Sequence, residues 1–407
     1  MELIGDEEKR ELLEVIEAGY LFRYGSPGNP AFKAKVYQLE QEVARVLGMR
    51  YAVAVNSGTT ALLVALSGLG VGPGDEVIVP GYTFIASMSS IIYARAIPIL
   101  AEVDQTLNLD PGDVRRKITP RTKAILAVHM LGNPARLDEL KAIADAHKLL
   151  LIEDCAQAFG ATYHGKAVGS IGHAGTYSFN IFKTITAGDG GMVATDDEAA
   201  YRRFFGLHDQ GHSPNRMGVE VGRRPFVGLD FRMTELTAAV LLAQLRKLDA
   251  LRQKLHANKK RFKAAIGDLP GIAFRELPDP AGECATLLTV FLPSEPQARA
   301  VAAGLGSRVI ADSGWHVYSN MEQILEKRTI TPEGCPFTCP LYKGGEVKYW
   351  KGMLPQTDAL LARAINISIG VSDAGLGSAF GVTIRDDFDV VDARAEEFRK
   401  VYARHAA

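Results

Sequence analysis

KAILAVHMLGNPARLDELKAIADAHKLLLIED, residues 123–154, joins two short apolar runs of strand length through a helical stretch, and the second run ends in two carboxylates. KAILAVHM (123–130) and LLLIED (149–154) read as strands and LDELKAIADAHK (137–148) as the helix between them. The same texture extends outward in both directions. YAVAV (51–55), EVIVP (76–80), IPILAEV (97–103), GTYSF (175–179) and GMVAT (191–195) are strand-like, and most precede a helix-like segment such as TALLVALSGL (60–69). Such alternation predicts an α/β fold, a mostly parallel, doubly wound sheet covered by helices, with ligands outside the carboxyl ends of the strands.

After about residue 232 the pattern changes. A long helical stretch, TELTAAVLLAQLRKLDALRQKLHANKKRFKAAI (234–266), leads into a last third with strand-like TLLTVFLP (286–293) and AINISIGV (364–371). The expected organisation is a large domain over residues 1–255, opened by an amphipathic helix in MELIGDEEKRELLEVIEAG, and a smaller α+β domain over 256–407. Residues 318–352 are irregular and read as a loop-rich insert over a site.

With 407 residues, 47% hydrophobic and 23% charged, the chain can bury a large core. A formal charge of −1 supplies no field to draw in nucleic acid or anionic lipid. Small polar partners are expected instead. No apolar run approaches membrane-spanning length and the amino terminus lacks the pattern of a secretory signal, so the expected location is the cytoplasm. Four cysteines make no disulfide framework, and Cys335 and Cys339 in CPFTC lack the further ligands of a metal site. No metal is expected.

Three strand ends carry chemistry. YAVAV runs into NSGTTALLVAL, which places Ser57, Gly58, Thr59 and Thr60 at a helix start, either as a plain cap or as an anion cradle. LLLIED presents Asp154 toward the ligand crevice, where a carboxylate needs a positive neighbour or a capping role. SFNIFKTITAGDGG (178–191) sets a lone lysine, Lys183, between a strand end and a glycine-rich turn; such a side chain is a snorkelling surface group or, when desolvated, an amine nucleophile. One cofactor needs a phosphate cradle, a carboxylate and an amine together: pyridoxal 5'-phosphate, whose ring nitrogen stays protonated beside an acid.

Taken in order, NSGTTAL, VPGYTFIAS, IEDCAQAFGATYHGKAVGSIG, YSFNIFKTITAGDGGMV and GLDFRMTEL resemble the DegT/StrS family of pyridoxal phosphate-dependent sugar aminotransferases over roughly residues 10–260. FRYGSPGN, FKAKVY, DQGH and FRELPDP are similar to a branch of that family acting on 8-amino-3,8-dideoxy-octulosonate. The resemblance implies the fold-type I, aspartate-aminotransferase-like architecture and a homodimer with shared active sites. It implies that Lys183 forms the internal aldimine, that Asp154 pairs with the pyridinium nitrogen, that Gln157 bonds the ring oxygen and that Phe84 stacks on the ring. Gly58, Thr59, Thr60 and Ser178 are implied to hold the phosphate, and Arg23, Tyr24 and His316 to face the substrate. Asp230 departs from the family, which commonly has Asn there, reaching the neighbouring subunit's phosphate; a carboxylate would be repelled unless turned away, protonated or bridged by Arg232.

The implied activity is transfer of nitrogen from glutamate or glutamine to a keto or aldehyde sugar, or to a cyclitol or sugar-like natural-product precursor. Two alternatives are a dehydratase on the same cofactor, a branch in which the lysine is typically replaced by histidine, and a non-catalytic regulatory protein of the same fold. Lys183 and the absence of a basic arm speak against them.

Overall fold

The computed structural model describes residues 4–26, 28–214 and 224–405. Its centre is a seven-stranded sheet of β1 (Tyr51–Val55), β2 (Glu76–Pro80), β3 (Ile97–Ala101), β4 (Thr122–Val128), β5 (Leu150–Asp154), β6 (Ala174–Ser178) and β7 (Gly191–Thr195). Their spatial order is β1-β7-β6-β5-β4-β2-β3. Successive side chains alternate between two cores, one on each face of the sheet. Ile78, Ile125 and Leu151 enter one, whereas Val77, Val79, Leu126 and Ile152 enter the other. Burial on both faces is why these strands read as unbroken apolar runs.

The pairs β3–β2, β2–β4, β4–β5 and β5–β6 are parallel, but β7 runs antiparallel to both β6 and β1. A parallel return needs a crossover of a dozen or more residues, usually with a helix. Between β6 and β7 the chain spends residues 179–190 on turns, so it can only double back. Lys183 sits on that return, at the carboxyl end of β6.

Helix α1 (Asp6–Ala18) docks on the long helix Glu235–Ile266 through Glu8, which meets Lys247 at 2.7 Å. The first amides of α2 (Lys35–Leu47) donate to the Glu235 carboxylate, from Lys35 at 2.7 Å and Val36 at 2.9 Å. The expected domain boundary at 255/256 falls within the long helix, which packs on α1 and α2 and also on the last helix, Phe388–Arg404. Beyond it lies a second, three-stranded antiparallel sheet of Ala273–Phe274, Leu287–Phe291 and Ala364–Ser368. Among the described residues no helix is long and apolar enough to cross a membrane.

No residue of 318–352 stands on the wall of the ligand-side cavity. The segment starts just past the carboxyl end of β2, where the Tyr318 amide donates to the Gly81 carbonyl at 2.9 Å, and its middle reaches the amino ends of β2 and β3, where Tyr342 donates to Glu76 and Tyr349 to the Pro98 carbonyl. Arg23 and Tyr24 both turn into the protein. Arg23 is buried, its guanidinium meeting Glu40 at 2.9 Å and the Ala54 carbonyl at 3.2 Å, while Tyr24 packs in the second core. The arginine thus ties the segment before α2 to β1 and has no open face for substrate.

Removing one partner of a buried ion pair strands the other charge at a cost of about 3–5 kcal/mol. Arg23→Ala is therefore expected to lower the unfolding free energy by about that amount, read from the denaturant midpoint.

Candidate active site

The carboxyl ends of β1, β4, β5 and β6, with the turn after β2, surround one cavity of about 570 Å³. Its first wall is the start of α3 (Gly58–Gly68). Ser57 caps this helix, its Oγ accepting from the Thr60 amide at 3.1 Å, a contact worth about 1 kcal/mol. The amides of Gly58 and Thr59 have no acceptor within a helix start and carry its positive end. Gly58 cannot bear a side chain here, because a Cβ would stand 2.6 Å from the Cβ of Ser178. Gly58, Thr59 and Ser178 therefore close together on the cavity wall, a helix start of the kind that can receive an anion. Thr60 does not join them. Its hydroxyl donates to Asn56 Oδ1 at 2.6 Å and it is off the wall, in the first helical turn that Ser57 caps.

Asp154, at the end of β5, is only 3% exposed. Ser87 Oγ donates to its Oδ2 at 2.8 Å and the Ala156 amide to its Oδ1 at 3.0 Å. Burial nevertheless pushes its carboxyl above the usual carboxylate range, outweighing those bonds and the charge of Lys183. Lys183 shows the mirror effect. Burial holds its ammonium below the ordinary lysine value although Asp154 and Asp373 favour the charged form. An acid and an amine that each lack enough compensation face the same space, which is what a guest with a protonated ring nitrogen and an electrophilic carbon would satisfy.

Gln157 and Phe84 complete that wall. The Leu131 amide donates to Gln157 Oε1 at 2.8 Å, which leaves the NH2 end of the side chain to donate. Phe84 precedes α4 (Ile85–Tyr93) and sits 5.2 Å from the ring of His316, tilted by 45°. His316 is 8% exposed, and burial pushes it down to about 4. Its Nδ1 is buried without a hydrogen-bond partner.

Gly58, Thr59, Phe84, Asp154, Gln157, Ser178, Lys183 and His316 thus share one cavity, whereas Thr60, Arg23 and Tyr24 stand outside it. Several wall residues escaped the sequence reading, Ser87 and Asp373 among them. Ser87 lies one helical turn beyond Phe84 and was within reach as the serine of VPGYTFIAS; Asp373 sits in a turn of the last third and has no local signal. At Asp230 the structure shows bridging by Arg232: Oδ2 meets the guanidinium at 2.6 Å, and the same guanidinium reaches Asp209 at 2.7 Å.

Comparison with known proteins fits this geometry. The model of the DegT/DnrJ/EryC1/StrS aminotransferase family matches residues 3–345. GDP-perosamine synthase of Caulobacter vibrioides is 46% identical over 215 residues, 53% of this chain and 57% of that protein. L-glutamine:2-deoxy-scyllo-inosose aminotransferase of Streptoalloteichus tenebrarius is 43% identical over 226 residues, 53% of each. The chain thus spans little more than half the length of these two relatives. The crystal structure of 3-amino-5-hydroxybenzoic acid synthase superposes with a TM-score of 0.78 at 28% identity, covering 98% of this chain and 97% of that one.

The raised carboxyl of Asp154 has a consequence for stability. The folded state holds this proton more tightly than the unfolded state, so the contribution of Asp154 falls as pH rises from the ordinary carboxylate value through the raised one. Asp154→Asn is expected to raise the melting temperature of the ligand-free protein at pH 7, with the gain vanishing on acidification, as followed by calorimetry across pH.

Proposed function

Because the chain belongs to the DegT/DnrJ/EryC1/StrS aminotransferase family, we propose that it moves nitrogen from glutamate or glutamine to a keto or aldehyde sugar or a cyclitol, with pyridoxal 5'-phosphate as cofactor. The observation that carries this reading is the pairing of Lys183 and Asp154 across one cavity, each displaced by burial toward its neutral form.

The wall residues fit the cofactor. The Gly58 and Thr59 amides and the Ser178 hydroxyl would hold its phosphate, Asp154 its ring nitrogen, the Gln157 NH2 its ring oxygen, and Phe84 the ring face; Lys183 would be its anchor. When bound, the cofactor supplies an electron sink for the charge left on a substrate carbon that loses a proton. A cation beside Asp154 returns that carboxylate to its ionised form, and Ser87 and the Ala156 amide hold it in place. Lys183, its proton loosened by burial, takes a proton from the nitrogen-bearing carbon as its neutral amine and returns it as an ammonium.

Transfer proceeds in two halves through one site, donor first and acceptor second. The names of the relatives support sugar and cyclitol acceptors, and one of them supports glutamine as a donor. We place the enzyme in the cytoplasm as a homodimer. Four unpaired cysteines, with Cys335 exposed, support a reducing compartment. Ile181, Phe182 and Trp315, exposed beside the cavity, support closure by a second copy.

Lys183→Ala is expected to abolish transamination and to remove the visible absorbance of the purified, cofactor-loaded protein. Turnover at the wild-type rate in that variant would refute the assignment.

A further inference from the structure

Among the described residues the cavity wall carries three carboxylates, Asp154, Asp189 and Asp373, and one fixed cation, Lys183. Asp154 is committed to the depth of the site, but Asp373 comes from the turn after the last strand and shares its side of the cavity with His316. The Asp373 backbone is held by Ser378, whose amide donates to its carbonyl at 3.0 Å and whose Oγ accepts from its amide at 3.1 Å. Its Oδ1 accepts from the Gly375 amide at 2.7 Å. Oδ2 has no donor among the described residues.

His316 supplies an independent observation. More than nine-tenths buried, it lines the same cavity with an unpartnered Nδ1. A neutral imidazole carries its proton on one nitrogen and accepts at the other, so Nδ1 calls for a neutral hydrogen-bonding partner in either tautomer. A carboxylate oxygen and a ring nitrogen, both without a partner among the described residues, therefore line one cavity.

We propose that Asp373 and His316 form a subsite that selects the uncharged, hydroxyl- or amide-bearing end of a substrate and rejects a carboxylate or phosphate there. Hydroxyls and amides bring a proton for Asp373 Oδ2 and satisfy the ring nitrogen in either tautomer; an anion brings no proton and is repelled by Asp373. The inference rests on the aminotransferase reading and deepens it. A donor's α-carboxylate is common to glutamate and glutamine and cannot sit against Asp373, so the side-chain end does. The subsite thus makes glutamine, with its terminal amide, the donor in preference to glutamate, and presents the acceptor sugar by its neutral hydroxyls.

The test is the donor half-reaction of the cofactor-loaded protein, followed spectroscopically with L-glutamine and with L-glutamate. Wild type, Asp373→Asn and Asp373→Ser are compared; both replacements retain a side-chain oxygen for the Gly375 amide, and melting curves check that the fold is kept. The wild type is expected to favour glutamine in kcat/KM, and both variants are expected to move the glutamine-to-glutamate ratio at least tenfold toward glutamate. An unchanged ratio, or an equal loss with both donors, overturns the proposal. A wild type that reacts with no amino donor at all would instead overturn the aminotransferase reading.

Discussion

Taking a carboxylate out of water at the end of a central strand is the constraint around which the site is arranged. Hydrogen bonds to a charged group contribute about 1.5–3 kcal/mol each, whereas desolvating the ion costs several kcal/mol, so Ser87 and the Ala156 amide cannot by themselves keep Asp154 comfortably ionised. The cation on the same wall, Lys183, is itself buried, and the same force holds its ammonium below the ordinary lysine value. Each group alone would be a liability. Facing one cavity, they are poised for a guest that carries a cation for one and a carbon electrophile for the other.

One residue earlier on the same strand, the alternation of the pleat gives a second carboxylate the opposite fate. Glu153 accepts from the amides of Gly169 at 2.7 Å, Ile171 at 2.8 Å and Gly172 at 2.5 Å, and His129 Nε2 lies 3.0 Å away. The Ala135 amide donates to His129 Nδ1, which leaves the proton on Nε2 to be given to Glu153. With Cys155 beside them, these side chains have the spacing of metal ligands, yet the histidine and glutamate are already saturated by hydrogen bonds. Glu153 pins the loop that leads into β6, and β6 in turn delivers Ser178 and Lys183. Two adjacent acids thus divide into an anchor and a reactive group because neighbours on a strand face opposite ways.

The last third of the chain finishes what the sheet begins. The Cys284 amide donates to the Gly132 carbonyl at 2.9 Å, and Thr286 Oγ1 reaches the Leu131 carbonyl at 3.4 Å, so the second sheet is seated on the rim of the cavity. That docking brings His316 and Asp373 to a site in which Gly58, Asp154, Ser178 and Lys183 all come from the first 183 residues. The long helix, packed on both parts, holds the arrangement together.

The strands of the large sheet, the turns at their ends and the residues of the cradle were legible in the sequence, because doubly buried strands are locally apolar and Gly58, Asp154 and Lys183 follow them directly. Thr60, Arg23 and Tyr24 stand off the cavity wall for one reason. Short motifs show which residues are near a site along the chain, but not whether a side chain turns inward to an Asn56 or a Glu40. The antiparallel return of β7 and the seating of Tyr342 and Tyr349 at the amino ends of β2 and β3 follow from which strands pair and which surfaces pack, neither of which is written in any local pattern. Asp373 is the extreme case. A carboxylate in a turn reads as a cap until folding closes almost 190 residues of chain and sets it against Lys183, and only that tertiary closure gives its charge something to act on.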